Sequence, residues 1–234
     1  MYAILDIETT GGQYNEEGIT EIAIYKFDGH EVIDQFISLI NPEKPIQPFV
    51  VKLTGINNAM LRSAPKFYEV AKRIIEITEG CILVAHNASF DYRILRTEFN
   101  RLGYDFKMPT LCTVELSKKL ILEQPSYSLG KLVRSLGIPM ADRHRASGDA
   151  LATVQLFKLL LAKDTEKEIV KSFIKTEIKP GMLPKLLDIV EALPSKTGIY
   201  YIHNENGDLI YIGKSKNIKK RVNQHFTGTN SKSK

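Results

Sequence analysis

The sequence predicts an α/β fold: a mixed sheet flanked by helices, with a smaller α/β module after it. Three observations carry that expectation. Strand-like apolar runs cluster early in the chain, apolar residues at helical spacing follow them, and the charge changes character near the end.

Residues 2–9 read as a strand closed by Thr10-Gly11-Gly12. Residues 19–28 and 31–40, rich in Ile, Val, Tyr and Phe, read as a hairpin turned at Asp28-Gly29. Over 66–78, Phe67, Val70, Ala71, Ile74 and Ile77 fall on one helical face, and Gly80 ends that helix. Cys81-Ile82-Leu83-Val84-Ala85 then reads as a short buried strand. A helix from about Ser89 to Leu102 presents Phe90, Ile94, Leu95 and Phe99. Residues 128–136 suggest a short helix, and 147–162 a longer one with Ala150, Leu151, Val154, Phe157 and Leu161 on its apolar side. The stretch 163–178 has an apolar face of Ile169, Val170, Phe173 and Ile174 and is expected to be helical. Lys179-Pro180-Gly181-Met182-Leu183-Pro184 is the strongest linker signal. Two further strands, 198–203 and 208–213, flank the turn Asn206-Gly207. The expected organisation is a first domain over 1–165, a helical linker over 166–194 and a second module over 195–234.

Composition narrows the class. Of 234 residues, 43% are hydrophobic and 25% charged, which excludes a disordered chain or a disulfide scaffold. The uncharged apolar stretches fall short of the ~18 residues a membrane span needs. The start, Met1-Tyr2-Ala3-Ile4-Leu5-Asp6, lacks the basic region of a signal peptide. Cys81 and Cys112 sit among apolar neighbours and suit free buried thiols, so the expected location is cytoplasmic, without a membrane partner. The net charge of +5 is unevenly placed. Residues 195–234 hold eight basic side chains and two acids, while the rest balances 24 basic against 25 acidic. Any attraction for an anionic partner therefore resides in the second module.

Four acids carry the candidate chemistry. Asp6 and Glu8 lie two apart on a strand, so both leave the same face. An isolated pair of that kind is more often the solvated side of an edge strand. Asp91 falls in the first turn of its helix and Asp149 in the first turn of another, where the macrodipole favours acids in any case. Taken together they gain meaning. Asp6 and Glu8 stand where one strand runs out, and the Asp91 helix starts where another ends, which is the edge at which open α/β sheets build sites. Acids crowded there call for hard divalent cations, and a pair of such ions suits phosphoryl displacement. His144, five residues before Asp149, is a candidate general base.

Asp6-Ile7-Glu8-Thr9-Thr10-Gly11, His86-Asn87-Ala88-Ser89-Phe90-Asp91 and His144-Arg145-Ala146-Ser147-Gly148-Asp149 resemble the three motifs of the DEDDh exonucleases, in that family's order. This family includes the proofreading epsilon subunit of bacterial DNA polymerase III. The resemblance covers about residues 1–165 and implies a ribonuclease-H-like fold with a five-stranded mixed sheet. It implies 3′→5′ hydrolysis of nucleic acid to nucleoside monophosphates, using two Mg²⁺ or Mn²⁺ ions. Asp6, Glu8 and Asp149 would hold the first ion, Asp6 helped by Asp91 the second, and His144 would deprotonate the attacking water. Thr9, Thr10 and Gly11 should meet the terminal nucleotide, with Leu53-Thr54-Gly55-Ile56 and Phe90 packed on its base and sugar.

Gly198-Ile199-Tyr200 and Tyr211-Ile212-Gly213, followed by the basic run to Arg221, resemble the start of a GIY-YIG endonuclease domain such as the N-terminal module of UvrC. The resemblance places Tyr200, Tyr211 and Arg221 at a scissile phosphate. That family's metal-binding glutamate lies well beyond the first helix, and the sequence reaches Lys234 without it, so this module is expected to contact phosphate without nicking DNA.

The expected substrate is a DNA 3′ end, single-stranded or frayed, in repair or proofreading, with a polymerase or repair protein as a possible partner. RNA trimming is the alternative within the same chemistry, since the motifs do not separate the sugars. A non-catalytic nucleic-acid-binding module, anchored by the basic tail, is the alternative outside it.

Overall fold

The computed structural model describes residues 1–13, 16–176, 190, 193–204 and 206–226. The chain divides into two compact units, Met1–Glu177 and Ile178–Lys234.

The first unit opens with β1 (Tyr2–Thr9), β2 (Ile19–Phe27) and β3 (Val32–Leu39). The short helices α1 (Pro48–Thr54) and α2 (Asn58–Leu61) follow, then α3 (Phe67–Thr78). Next come β4 (Ile82–Ala85), α4 (Ala88–Arg101), β5 (Thr110–Cys112) and α5 (Thr113–Leu120). The unit continues through α6 (Leu129–Ser135), α7 (Ala146–Lys163) and α8 (Glu168–Ser172).

The sheet runs β3-β2-β1-β4-β5. β1 pairs antiparallel with β2 and parallel with β4, so it is the central strand and not a solvated edge. Its alternation explains the layering. Ala3, Leu5 and Ile7 face a core completed by Ile74 and Ile77 of α3 and Leu95 and Phe99 of α4. Ile4 faces the opposite core, with Ala150, Val154 and Phe157 of α7 and Leu116 of α5. Ala3, Ile4 and Leu5 are fully buried, which fits a strand covered on both sides. Burying each large aliphatic side chain stabilises the fold by about 1.5–3 kcal/mol.

Local signals explain the boundaries. In the β2–β3 turn, the Asp28 carboxylate accepts from the amides of His30 (2.7 Å) and Glu31 (2.8 Å). The α3 N-terminus is closed by Glu69, whose Oε2 accepts from the Lys66 amide at 2.7 Å. Two expectations change. Leu151, placed on the apolar face of α7, is 44% exposed, because the core side of that helix turns on Ala150, Val154, Phe157 and Leu161. The stretch 163–178 is not one helix. Asp164 Oδ2 accepts from the Val170 amide (2.7 Å), Lys167 takes φ +57°, and only Glu168–Ser172 is helical. Lys175 then forms an antiparallel bridge with Thr110. The Lys179–Pro184 linker lies outside the described residues. Cys81 is buried, whereas Cys112 is only half-buried.

In the second unit, β6 (Gly198–His203) and β7 (Leu209–Ser215) form an antiparallel hairpin, followed by α9 (Ile218–Phe226). Asn204 Oδ1 accepts from the amides of Asn206 (3.0 Å) and Asp208 (2.8 Å), tightening a turn in which Gly207 takes φ +86°. Tyr200, Ile218, Val222 and Val190 form its small core. Among the described residues, no helix is long and apolar enough to cross a membrane.

Candidate active site

β1 carries Asp6 and Glu8 in the same alternation as Ile4, so both side chains leave on the α7 side of the sheet. Asp149 meets them from the first turn of α7. One carboxylate oxygen from each of Asp6, Glu8 and Asp149 lies within 4.8 Å of the other two. A register shift between Glu8 and Thr9 follows directly, a bulge that turns the end of β1 away from the regular ladder.

Asp91 comes from the other layer. It occupies the first turn of α4, is 4% exposed, and its Oδ1 accepts from the Ile7 amide at 3.2 Å. The β1–β4 pairing stops at Ile4–Val84, so Asp91 takes over where the strand partner ends. It stands outside the tight group of three oxygens.

The electrostatics are those of crowded acids. Burial, followed by the charges of Asp91, Asp149, Glu8 and Glu21, holds the Asp6 carboxyl well above its ordinary range. Burial and the neighbouring Asp149, Glu21 and Asp91 push Glu8 up to about 8, a rise that Arg145 only tempers. Burial raises Asp91 to about 7, and burial also raises Asp149. Such a set gives up its protons most readily to a cation. An all-oxygen, multiply anionic donor set fits a hard divalent ion.

The loop before α7 brings in His144, half-buried with φ +63°, whose backbone N–H donates to Asp149 Oδ1 at 3.4 Å. Gly148 makes this approach possible, since a Cβ there would run into the carbonyl oxygens of Ala141 and Asp142. Sequence reasoning missed the residue that fixes this loop. Glu21 of β2, the register partner of Glu8, is 2% exposed. It accepts from Arg145 Nε (3.0 Å), Arg145 Nη2 (2.6 Å) and the Ala146 amide (2.8 Å). An acid from the sheet thus caps the helix that carries Asp149. The available signal was a lone acid inside the apolar strand Ile19-Thr20-Glu21-Ile22. A second buried pair, Arg93 to Glu17 at 2.8 and 3.0 Å, ties α4 to the loop after β1.

The expected nucleotide contacts divide. Thr9 is 9% exposed and its hydroxyl accepts from the Gly11 amide at 3.3 Å. Thr10 is 1% exposed, its hydroxyl accepting from Gly18 (3.1 Å) and donating to the Gly11 carbonyl (2.9 Å), so its side chain serves the loop instead of facing a ligand. Thr54 is likewise withdrawn, its hydroxyl donating to Val50 O (3.0 Å) and accepting from Ile56 N (3.1 Å). Leu53 is half-exposed, and Phe90 is partly buried against the α4 core with the Arg93 guanidinium 5.4 Å from its ring centre.

In the second unit, Tyr200 and Tyr211 lie with ring centres 6.0 Å apart. Burial and the hydrogen-bonded Tyr211 raise the Tyr200 phenol, and the hydrogen-bonded Arg221 opposes them, so all three expected residues meet. Gly213 sits opposite Tyr200, where any side chain would strike the tyrosine ring.

With this geometry established, similarity to known proteins becomes informative. Residues 3–157 match the exonuclease family model, and residues 196–234 match that of the GIY-YIG catalytic domain. A putative bifunctional exonuclease/endonuclease protein of Mycobacterium tuberculosis is 32% identical over 242 residues, covering 97% of this chain and 37% of that protein. A 3′-5′ exonuclease DinG of Staphylococcus epidermidis is 33% identical over 202 residues, covering 83% of this chain and 22% of that protein. The chain thus spans well under half the length of either relative. The structure of Exonuclease X in complex with 5′ overhanging duplex DNA superposes with a TM-score of 0.57 at 29% identity, covering 70% of this chain and 93% of that one.

Proposed function

The chain belongs to the exonuclease family, and from that membership we propose that it removes nucleoside monophosphates from DNA 3′ ends in a metal-dependent reaction. The observation that carries this reading is the convergence of Asp6, Glu8 and Asp149 within 4.8 Å at the end of the central strand. Asp6, Glu8 and Asp149 would hold one Mg²⁺ or Mn²⁺, and Asp6 with Asp91 a second. When bound, such a pair of ions supplies charge stabilisation to the attacking and leaving oxygens of a phosphoryl displacement. His144, on the loop clamped by Glu21 and Arg145, accepts the proton of the attacking water on its imidazole. The backbone of Thr9, Thr10 and Gly11, with Leu53 and Phe90, seats the terminal nucleotide.

The 3′→5′ direction is supported by the name of the DinG relative, and a DNA substrate by the DNA-bound Exonuclease X structure. A role in DNA repair is supported by the pairing of an exonuclease unit with a GIY-YIG unit, and the mycobacterial relative is named a putative bifunctional exonuclease/endonuclease. The deciding experiment follows 3′-labelled single-stranded, paired and mismatched DNA over time with Mg²⁺, with a matched RNA control. Release of mononucleotides from the DNA 3′ end, fastest from unpaired ends, is expected. Faster release from RNA would reassign the substrate.

A further inference from the structure

Two arginines flank His144 and are used differently. Arg145 is spent on Glu21. Arg143 is exposed, and its guanidinium joins no ion pair or hydrogen bond among the described residues. An exposed arginine is ordinarily just solvated, so exposure alone calls for no explanation.

The way Arg143 is held does call for one. Gly130 is the second residue of α6 and has no left-handed φ that would require glycine. Glycine weakens a helix relative to alanine, so the reason for it lies in space. A Cβ at Gly130 would stand 2.9 Å from Arg143 Nε, 3.0 Å from Cζ and 3.3 Å from Nη2. Three guanidinium atoms at nearly equal distance mean that the group lies across the helix backbone instead of meeting it end-on. Its charge also reaches the acids: burial raises Asp149, and His144 and Arg143 oppose that rise. A cation is thus held beside the acid cluster without being paired to it.

We propose that Arg143, seated on Gly130, binds a phosphodiester of the substrate strand beyond the one being cleaved. The proposal rests on the DNA 3′-end reading given above and adds a substrate contact to it. The scissile phosphate has the ions for partners, whereas a further phosphodiester needs a cation of the protein. Residues 1–194 balance 24 basic side chains against 25 acidic ones, so a placed cation has to supply what a basic surface would otherwise give. A guanidinium lying flat on Gly130 keeps its N–H edge open, and that planar fork matches phosphate geometry. A phosphate contact carries no sequence preference, which suits an enzyme that shortens any strand.

The test compares kcat/KM of the full chain on a single-stranded 3′-labelled oligothymidylate with that on the p-nitrophenyl ester of thymidine 5′-monophosphate, which has no second phosphodiester. Arg143→Ala should lower kcat/KM on the oligonucleotide by about tenfold more than on the ester, mainly through KM, as the loss of one charge-assisted contact would. On the oligonucleotide the slope of log kcat/KM against log salt should become shallower by about 0.7, the share of one phosphate on a single strand. Arg143→Lys keeps the charge and should keep the wild-type slope. Gly130→Ala keeps every charge but displaces the guanidinium. It should lose part of the oligonucleotide activity in the wild-type background and nothing more when added to Arg143→Ala. Equal losses on both substrates, an unchanged salt slope in Arg143→Ala, or a Gly130→Ala that has no effect or acts equally without Arg143 would each overturn the proposal. A wild-type enzyme that hydrolyses the ester but releases nothing from DNA 3′ ends would instead overturn the underlying substrate reading, and the phosphate contact with it.

Discussion

Glu21 and Arg145 meet in a two-pronged ion pair, Oε2 to Nε at 3.0 Å and Oε1 to Nη2 at 2.6 Å, that joins β2 to the first turn of α7. Because Glu21 also accepts the Ala146 amide, one carboxylate fixes both the arginine and the helix terminus. Glu21→Ala should cost about 1.5–3 kcal/mol in urea unfolding, the range for hydrogen bonds to a charged group, since Arg145 keeps 36% of its side chain exposed. Mn²⁺ affinity should fall with it. Unaltered metal affinity would show that Asp149 is positioned without this pair.

The crowded acids make the metal-free protein sensitive to pH. Glu8 rises from 4.5 to about 8 and Asp91 from 3.8 to about 7, so the folded chain holds protons that the unfolded chain releases. That stabilisation is complete below about pH 4 and is lost as pH rises through about 7 to 8. With a chelator present, the melting temperature attributable to this site should therefore fall between pH 5 and pH 8.5. Mg²⁺ or Mn²⁺ should raise it more at the upper end of that range. Calorimetry showing equal metal stabilisation at both limits would contradict the raised carboxyls.

Ligand and base should separate in mutants. Asp6→Ala and Asp149→Ala should abolish hydrolysis together with Mn²⁺ binding, measured by titration calorimetry. His144→Ala should slow turnover by about 10²–10⁴, the usual contribution of general base catalysis, while the ion still binds. Collapse of Mn²⁺ affinity in His144→Ala would move the histidine from proton acceptor to ligand.

Gly148→Ala should disturb the site more than the fold. Its methyl group would meet the carbonyl oxygens of Ala141 and Asp142, and overpacking of this kind costs about 1–3 kcal/mol. The strain falls on the loop that carries His144, so steady-state turnover should drop further than the change in thermal stability would suggest.

Much of the site was legible because local periodicity places it. Alternation put Asp6 and Glu8 on one face of a strand, and helical spacing put Asp91 and Asp149 in first turns, as found. β5 has three residues and α1 has seven, too short for either period to declare itself. Glu21 shows its purpose only beside Arg145, 124 residues away. Nor does the sequence show that the hydroxyls of Thr10 and Thr54, polar and adjacent to the motifs, are spent on their own loops.

The amide of Ile7, left without a strand partner past Ile4–Val84, is received by one oxygen of Asp91. The carboxylate therefore completes the sheet as well as the group of acids, and a change that removes it leaves a buried backbone donor without its acceptor.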